Sequence, residues 1–229
     1  MNPEIINIKR PWTTKRSFTV ATISLVIGLI IFIASHLGAT KKFGLDLFNQ
    51  PILSSMVNIR QIDLTNFIST LTIFGSLITV AIMAISIAII WTSYKREFWR
   101  PILLILSILL AAIAASFLKS WFMISRPPEM SMVIPFETGF AFPSGHVIGT
   151  VVFVLMLGYL VCSRRSSFIR ITSWIVTSIL ATSIIAFSRL YLGYHWLTDV
   201  TASIGLGFII FGVIVFVDKL ITNRFTKLQ

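Results

Sequence analysis

The chain has 229 residues, 56% hydrophobic and only 12% charged, with a mean hydropathy of +0.91 and a formal net charge of +11. A charged fraction about half that of ordinary soluble domains excludes a water-soluble globule, and the bilayer is the expected solvent. The basic residues form short clusters between apolar runs and no single patch, which argues for membrane topology and against a nucleic-acid partner.

In chain order, six segments are long and apolar enough to cross about 30 Å of hydrocarbon as helices. They run over 18–37, 67–94, 101–123, 145–162, 169–190 and 197–218. The first reads as a retained helix, since its apolar stretch is longer than a signal-peptide core and its removal leaves an odd number of spans. Residues 43–64, "FGLDLFNQPILSSMVNIRQIDL", are half apolar. They either lie along the outer membrane surface or form an ordinary loop with a short helix. Pro101 suits the first turn of the third span. Cys162 has no partner for an intramolecular disulfide and reads as a small buried hydrophobe. Tight spacing, with no linker and no repeat, predicts an all-α, polytopic membrane protein. Its six transmembrane helices form one bundle and a single domain over 1–229.

Charge then sets orientation. Lys9, Arg10, Lys15 and Arg16 precede the first span; Lys95, Arg96 and Arg100 separate the second and third. Arg164, Arg165 and Arg170 separate the fourth and fifth, and Lys219, Arg224 and Lys227 follow the sixth. These are 13 of the 19 Lys and Arg, so this side, with both termini, is expected to be cytoplasmic. Lys41, Lys42 and Arg60 lie in ordinary loop sequence on the other face. Lys119, Arg126 and Arg189 need a separate explanation.

Three clusters fall at the outer ends of spans. In "KSWFMISRPP", Lys119 and Arg126 are seven apart, two helical turns, so both are expected on one face before Pro127 and Pro128 end the helix. In "GFAFPSGHVIGT", Ser144 is an expected N-cap and Gly145 permits a close approach to the backbone. The helix N-terminus that follows is a natural phosphate site. In "SRLYLGYHWLTD", His195 and Asp199 are four apart at the start of the sixth span. The carboxylate can accept from one imidazole nitrogen and leave the other as a nucleophile or base.

Singly, each motif has a plain structural reading: a cap, a hydrogen-bonded pair, cations reaching headgroups. Together, three cations, two histidines (His146 and His195), one carboxylate and a helix N-terminus at one membrane face fit phosphoryl transfer on a lipid phosphate. Phe140, Phe142, Trp121, Tyr191, Tyr194 and Trp196 flank these motifs and either line a lipid portal or belong to the interfacial aromatic belt, which is preferred. Glu137 reads as a solvated loop carboxylate. A transporter is disfavoured, because no span carries a charge near its centre or an interrupting proline.

Lys119-x6-Arg126-Pro127, Pro143-Ser144-Gly145-His146 and Ser188-Arg189-x5-His195-x3-Asp199 together closely resemble the three-part signature of the type 2 phosphatidic acid phosphatase superfamily. That group includes bacterial phosphatidylglycerophosphate and undecaprenyl-pyrophosphate phosphatases and shares its site with vanadium haloperoxidases. The resemblance implies that His195 attacks phosphorus, Asp199 orients it, and His146 serves the leaving oxygen and then water. It implies that Lys119, Arg126, Ser144, Gly145 and Arg189 hold the phosphoryl oxygens, without a metal or other cofactor. The implied substrate is a lipid phosphate at the extracytoplasmic face of a bacterial cell membrane: undecaprenyl pyrophosphate, phosphatidylglycerophosphate or phosphatidic acid. The alternative enzyme is a phosphotransferase that passes the group from undecaprenyl pyrophosphate to another lipid.

Overall fold

A computed structural model describes residues 13–163 and 167–227, without the side chains of Thr14 and 224–227. Of the basic clusters that orient the chain, Lys9, Arg10, Arg164 and Arg165 lie outside the described residues.

The described chain is helical: α1 (Thr14–Lys41), α2 (Asn49–Asn58), α3 (Ile62–Thr72), α4 (Leu77–Lys95), α5 (Trp99–Phe122), α6 (Gly145–Cys162), α7 (Phe168–Tyr191) and α8 (Leu197–Lys227). Six of these, all but α2 and α3, are long and apolar enough to cross a membrane. Side-chain capping marks the start of three of these helices. Thr13 accepts from the Arg16 N–H, Ser76 from Thr79 and Ser167 from Arg170, each satisfying an orphan donor of a first turn.

The predicted second span, 67–94, is in fact two helices. The break falls at Gly75 and Ser76, where a 3-10 turn over Ile73–Gly75 meets an extended Ser76 that caps α4. Gly75 is pressed on Ile185, where any Cβ would come within 2.6 Å of its Cγ2. Close packing and a new cap thus override the continuous apolar pattern. α2 and α3 expose Val57, Ile62 and Phe67 and pack on α7, α2 also on α8.

α6 is the hub, with two-thirds of its span buried, while α4 turns Ile78 and Ile89 outward and α1 turns out Ile30. Leucine and isoleucine facing lipid need no burial, so the interior is read from the packed faces. α5, α7 and α8 surround α6, and α1 runs along α8. The α1–α8 crossing is made by Gly28 and Gly205, where a Cβ on either would lie 2.6–2.8 Å from the other's carbonyl oxygen. At the end remote from the histidines, Asp218 accepts from Trp99 Nε1 at 2.7 Å and Tyr159 O–H at 2.6 Å, joining α5, α6 and α8. There Arg100 is buried and donates to Leu160 O, and Lys219 is buried beside Asp218.

Candidate active site

All eight candidate residues converge on one end of the bundle. Lys119 comes from the last turn of α5 and Ser144, Gly145 and His146 from the start of α6. Arg189 comes from the end of α7, His195 from the following loop and Asp199 from the first turn of α8.

Arg126 arrives by a different route from the one the spacing implied. α5 ends four residues earlier, at Phe122, where Met123 adopts a left-handed cap (φ 48°) and returns its N–H to Lys119 O. Arg126 therefore lies on the extended segment beyond, and two turns of helix do not align it with Lys119. That segment carries it across to the loop between α7 and α8: its Nη1 donates to Tyr194 O at 2.7 Å and sits 3.5 Å from His195 Nε2. Its Nε donates to Thr138 and Gly139 carbonyls. Lys119 Nζ donates to Phe140 O at 2.7 Å.

Arg189 is 1% exposed and held by Thr72 Oγ1 at 3.2 Å, with its guanidinium 4.6 Å from the centre of the Tyr194 ring. Ser188 donates to the same Thr72 oxygen, so α3 positions this cation from outside the signature. Glu137 is no solvated carboxylate. One oxygen pairs with Arg189 and the other with Arg126 at 2.9 Å. Burial opposes its ionisation, but Arg189 and Arg126 outweigh burial and hold the carboxyl below its ordinary range.

His195 faces Asp199 with Nδ1, 3.4 Å from Oδ2, and directs Nε2 towards Arg126. Burial, then Arg189, Arg126 and Lys119, push the imidazole well below its ordinary pKa, so the ring is neutral and Nε2 can offer a lone pair. Asp199 Oδ2 also accepts from Trp196 N–H at 2.8 Å, the reach-back half of a capping box. His146 sits within electrostatic reach of Arg189, Glu137, Lys119 and Arg126.

Ser144 occupies the N-cap position of α6 but its side chain makes no capping bond. Its Oγ and the Nε of Arg189 are buried polar atoms with no hydrogen-bond partner among the described residues. Its backbone N–H instead donates to Ser203 Oγ at 2.7 Å, and Ser203 donates to Asp199 O at 2.7 Å. One hydroxyl thus joins the first turns of α6 and α8. A Cβ at Gly145 would meet Leu77 at 3.2 Å, so this glycine's close approach is to α4.

Sequence reasoning missed four supports. Asn49 is buried, with Oδ1 accepting from Thr198 N–H, and caps α8 from α2. Arg60, read as ordinary loop, donates to Tyr191 O and Ser131 O and ties the loops on both sides of the site together. Thr72 and Ser203 act as described. Small polar residues in apolar runs were the one local signal. Of the flanking aromatics, Phe142, Tyr191 and Tyr194 are buried and belong to no belt, whereas Trp121 and Phe140 are exposed.

Fold and site together define a polytopic helical membrane protein with a histidine- and cation-lined site at one end of its bundle. The chain belongs to the PAP2 superfamily, whose model matches residues 100–221, more than half of its length. It is 26% identical over 140 residues to phosphatidylglycerophosphatase B of Bacillus subtilis (strain 168), a match spanning 58% of this chain and 65% of that protein. The fold resembles the crystal structure of a transmembrane PAP2-type phosphatidylglycerolphosphate phosphatase from Bacillus subtilis. That likeness has a TM-score of 0.73 and 22% identity, covering 88% of this chain and 96% of the other. Aquifex aeolicus LpxE is similar at a TM-score of 0.56 and 22% identity, covering 77% and 97%.

Proposed function

We propose that this chain is an integral-membrane lipid phosphatase that removes a phosphate from a membrane lipid through a phosphohistidine on His195, without a metal. The carrying observation is the pair of buried polar atoms, Ser144 Oγ and Arg189 Nε, without a hydrogen-bond partner among the described residues, at the same end of the bundle as the α6 N-terminus and the neutral imidazole of His195, whose Nε2 meets only a long 3.5 Å contact from Arg126. Buried donors are ordinarily satisfied, and a phosphoryl group satisfies these two at once.

In the first step His195 Nε2 attacks phosphorus, the P–O bond to the lipid breaks, and its electron pair goes to the lipid oxygen, protonated by His146. Asp199 accepts from Nδ1–H and stabilises the charge that builds on the ring. In the second step water attacks phosphorus, His146 takes its proton, and the N–P bond breaks to regenerate His195. Lys119, Arg126, Arg189, Ser144 and the Gly145 N–H hold the oxygens as charge shifts, each contact worth roughly 2–4 kcal/mol. The cations take the part that a metal plays elsewhere.

The substrate class is undecaprenyl pyrophosphate, phosphatidylglycerophosphate or phosphatidic acid; the relatives' names favour the second. The site faces the extracytoplasmic side and both termini the cytoplasm, because in the sequence 13 of the 19 basic residues precede, separate or follow the spans on the side away from the signature motifs. Phosphate release from these three lipids by purified protein is the test. His195→Ala is expected to abolish release while the protein inserts and folds; near-normal turnover overturns the nucleophile. Activity is expected to survive EDTA and to fall with vanadate, and an absolute Mg²⁺ requirement overturns the mechanism.

A further inference from the structure

A second cavity, of about 570 Å³, adjoins the site and lies outside the three signature motifs apart from Arg126 and Trp196. Its other walls come from the last turn of α1, from residues 42–50 and from Ile124 and Ser125. That volume suits a polar headgroup. It borders the reacting centre through Arg126, whose Nη1 is 3.5 Å from His195 Nε2, and through Trp196, which follows His195 in the chain.

The walls are fixed before any ligand arrives. Asn49 Nδ2 donates to Asp46 Oδ1 at 2.7 Å and to Thr198 Oγ1 at 3.2 Å, which ties the α1–α2 connection to the first turn of α8. The Trp196 indole N–H donates to Ser125 O at 3.0 Å. Ala39 and Ile124, on the floor, also pack with Phe32, Phe122 and Phe142, whose rings surround His36. A headgroup in the cavity therefore rests on an apolar base between α1 and α5.

Two cations line this space. Arg126 faces both this space and the reacting centre, while the Lys42 side chain is 71% exposed and pairs with Asp46, with Nζ 3.4 Å from Oδ1. An exposed pair of this length contributes little and yields readily to a stronger anion. The charge of Lys42 nevertheless reaches Asp199. With the scissile phosphate on Nε2, Arg126 and Lys42 are the cations that line the space for the next part of the lipid headgroup, Lys42 by exchanging its Asp46 partner for that anion.

We propose that this cavity is a second anion subsite, in which Lys42 and Arg126 take a further phosphate lying between the scissile phosphate and the lipid chains. It rests on the lipid-phosphatase reading and adds a preference for pyrophosphate or phosphodiester-spaced headgroups over a lone phosphomonoester. Lys42 acts in binding and not in the chemistry.

The test compares kcat/KM for phosphatidylglycerophosphate, which has a second phosphate, with that for phosphatidic acid, which lacks one, in the same mixed micelles. Wild type is expected to favour the former, Lys42→Gln to reduce the ratio about tenfold, and Lys42→Arg to retain it. An unchanged ratio in Lys42→Gln, or equal loss on both lipids, overturns the subsite while leaving the phosphatase reading intact. Release of no phosphate from either lipid by wild type overturns both.

Discussion

His195 owes its chemistry to its surroundings. Buried, and with three cations nearby, it stays neutral where an ordinary histidine protonates. Its depressed pKa means that the ring takes up a proton, and the proposed nucleophile is lost, only as pH falls through a value below the usual histidine range. Replacing Arg126 by Gln removes a positive neighbour, so the imidazole pKa rises and the acid limb of kcat/KM moves to higher pH, beneath a lower plateau. An acid limb that stays in place in Arg126→Gln counts against electrostatic tuning of this ring. The histidines, Asp199 and the cations could be singled out in the sequence because charged and titratable residues are few in so apolar a chain, with three His and eight Asp and Glu. Glu137 was not legible. Its two partners lie 11 and 52 positions away in sequence, on the segment after α5 and on α7, and no local pattern encodes such a pairing.

At the scale of elements, hydropathy found every spanning helix but misjudged where the polypeptide stops being helical. Met123 ends α5 with a left-handed cap and no proline or glycine, and Ser76 starts α4 inside an unbroken apolar run; tertiary contacts decide both. The α1–α8 crossing makes the same point energetically. A side chain at Gly205 meets backbone atoms, Phe32 N at 2.7 Å and Gly28 O at 2.8 Å, which cannot rotate aside. Gly205→Val is expected to separate the helices and to lower the thermal midpoint in detergent by roughly 5 °C or more, about 2 kcal/mol. Gly158→Ala, whose Cβ meets Trp174 at an ordinary 3.7 Å, is expected to change it little. Equal midpoints for the two variants contradict the close-approach account.

For the whole molecule, topology is the open quantity that charge predicts. Cysteines placed at Lys42 and at Arg96, both exposed and at opposite ends of the bundle, report it directly. A membrane-impermeant maleimide is expected to label the first on intact cells and the second only after permeabilisation. The native Cys162 is buried and contributes little background. Labelling in the reverse order inverts the orientation and moves the site to the cytoplasm.

Ser203 and Asp218 grip α6 and α8 at opposite ends, the first through Ser144 N–H and the second through Tyr159, with α5 fastened to the latter by Trp99. Riveted at both ends, these helices cannot splay like scissor blades. A thinner or thicker bilayer therefore strains the outward-facing α4 before the α6–α8 pair, to which α1 is locked through Gly28 and Gly205. The end of the bundle that gathers the candidate residues is mechanically insulated from changes in membrane thickness.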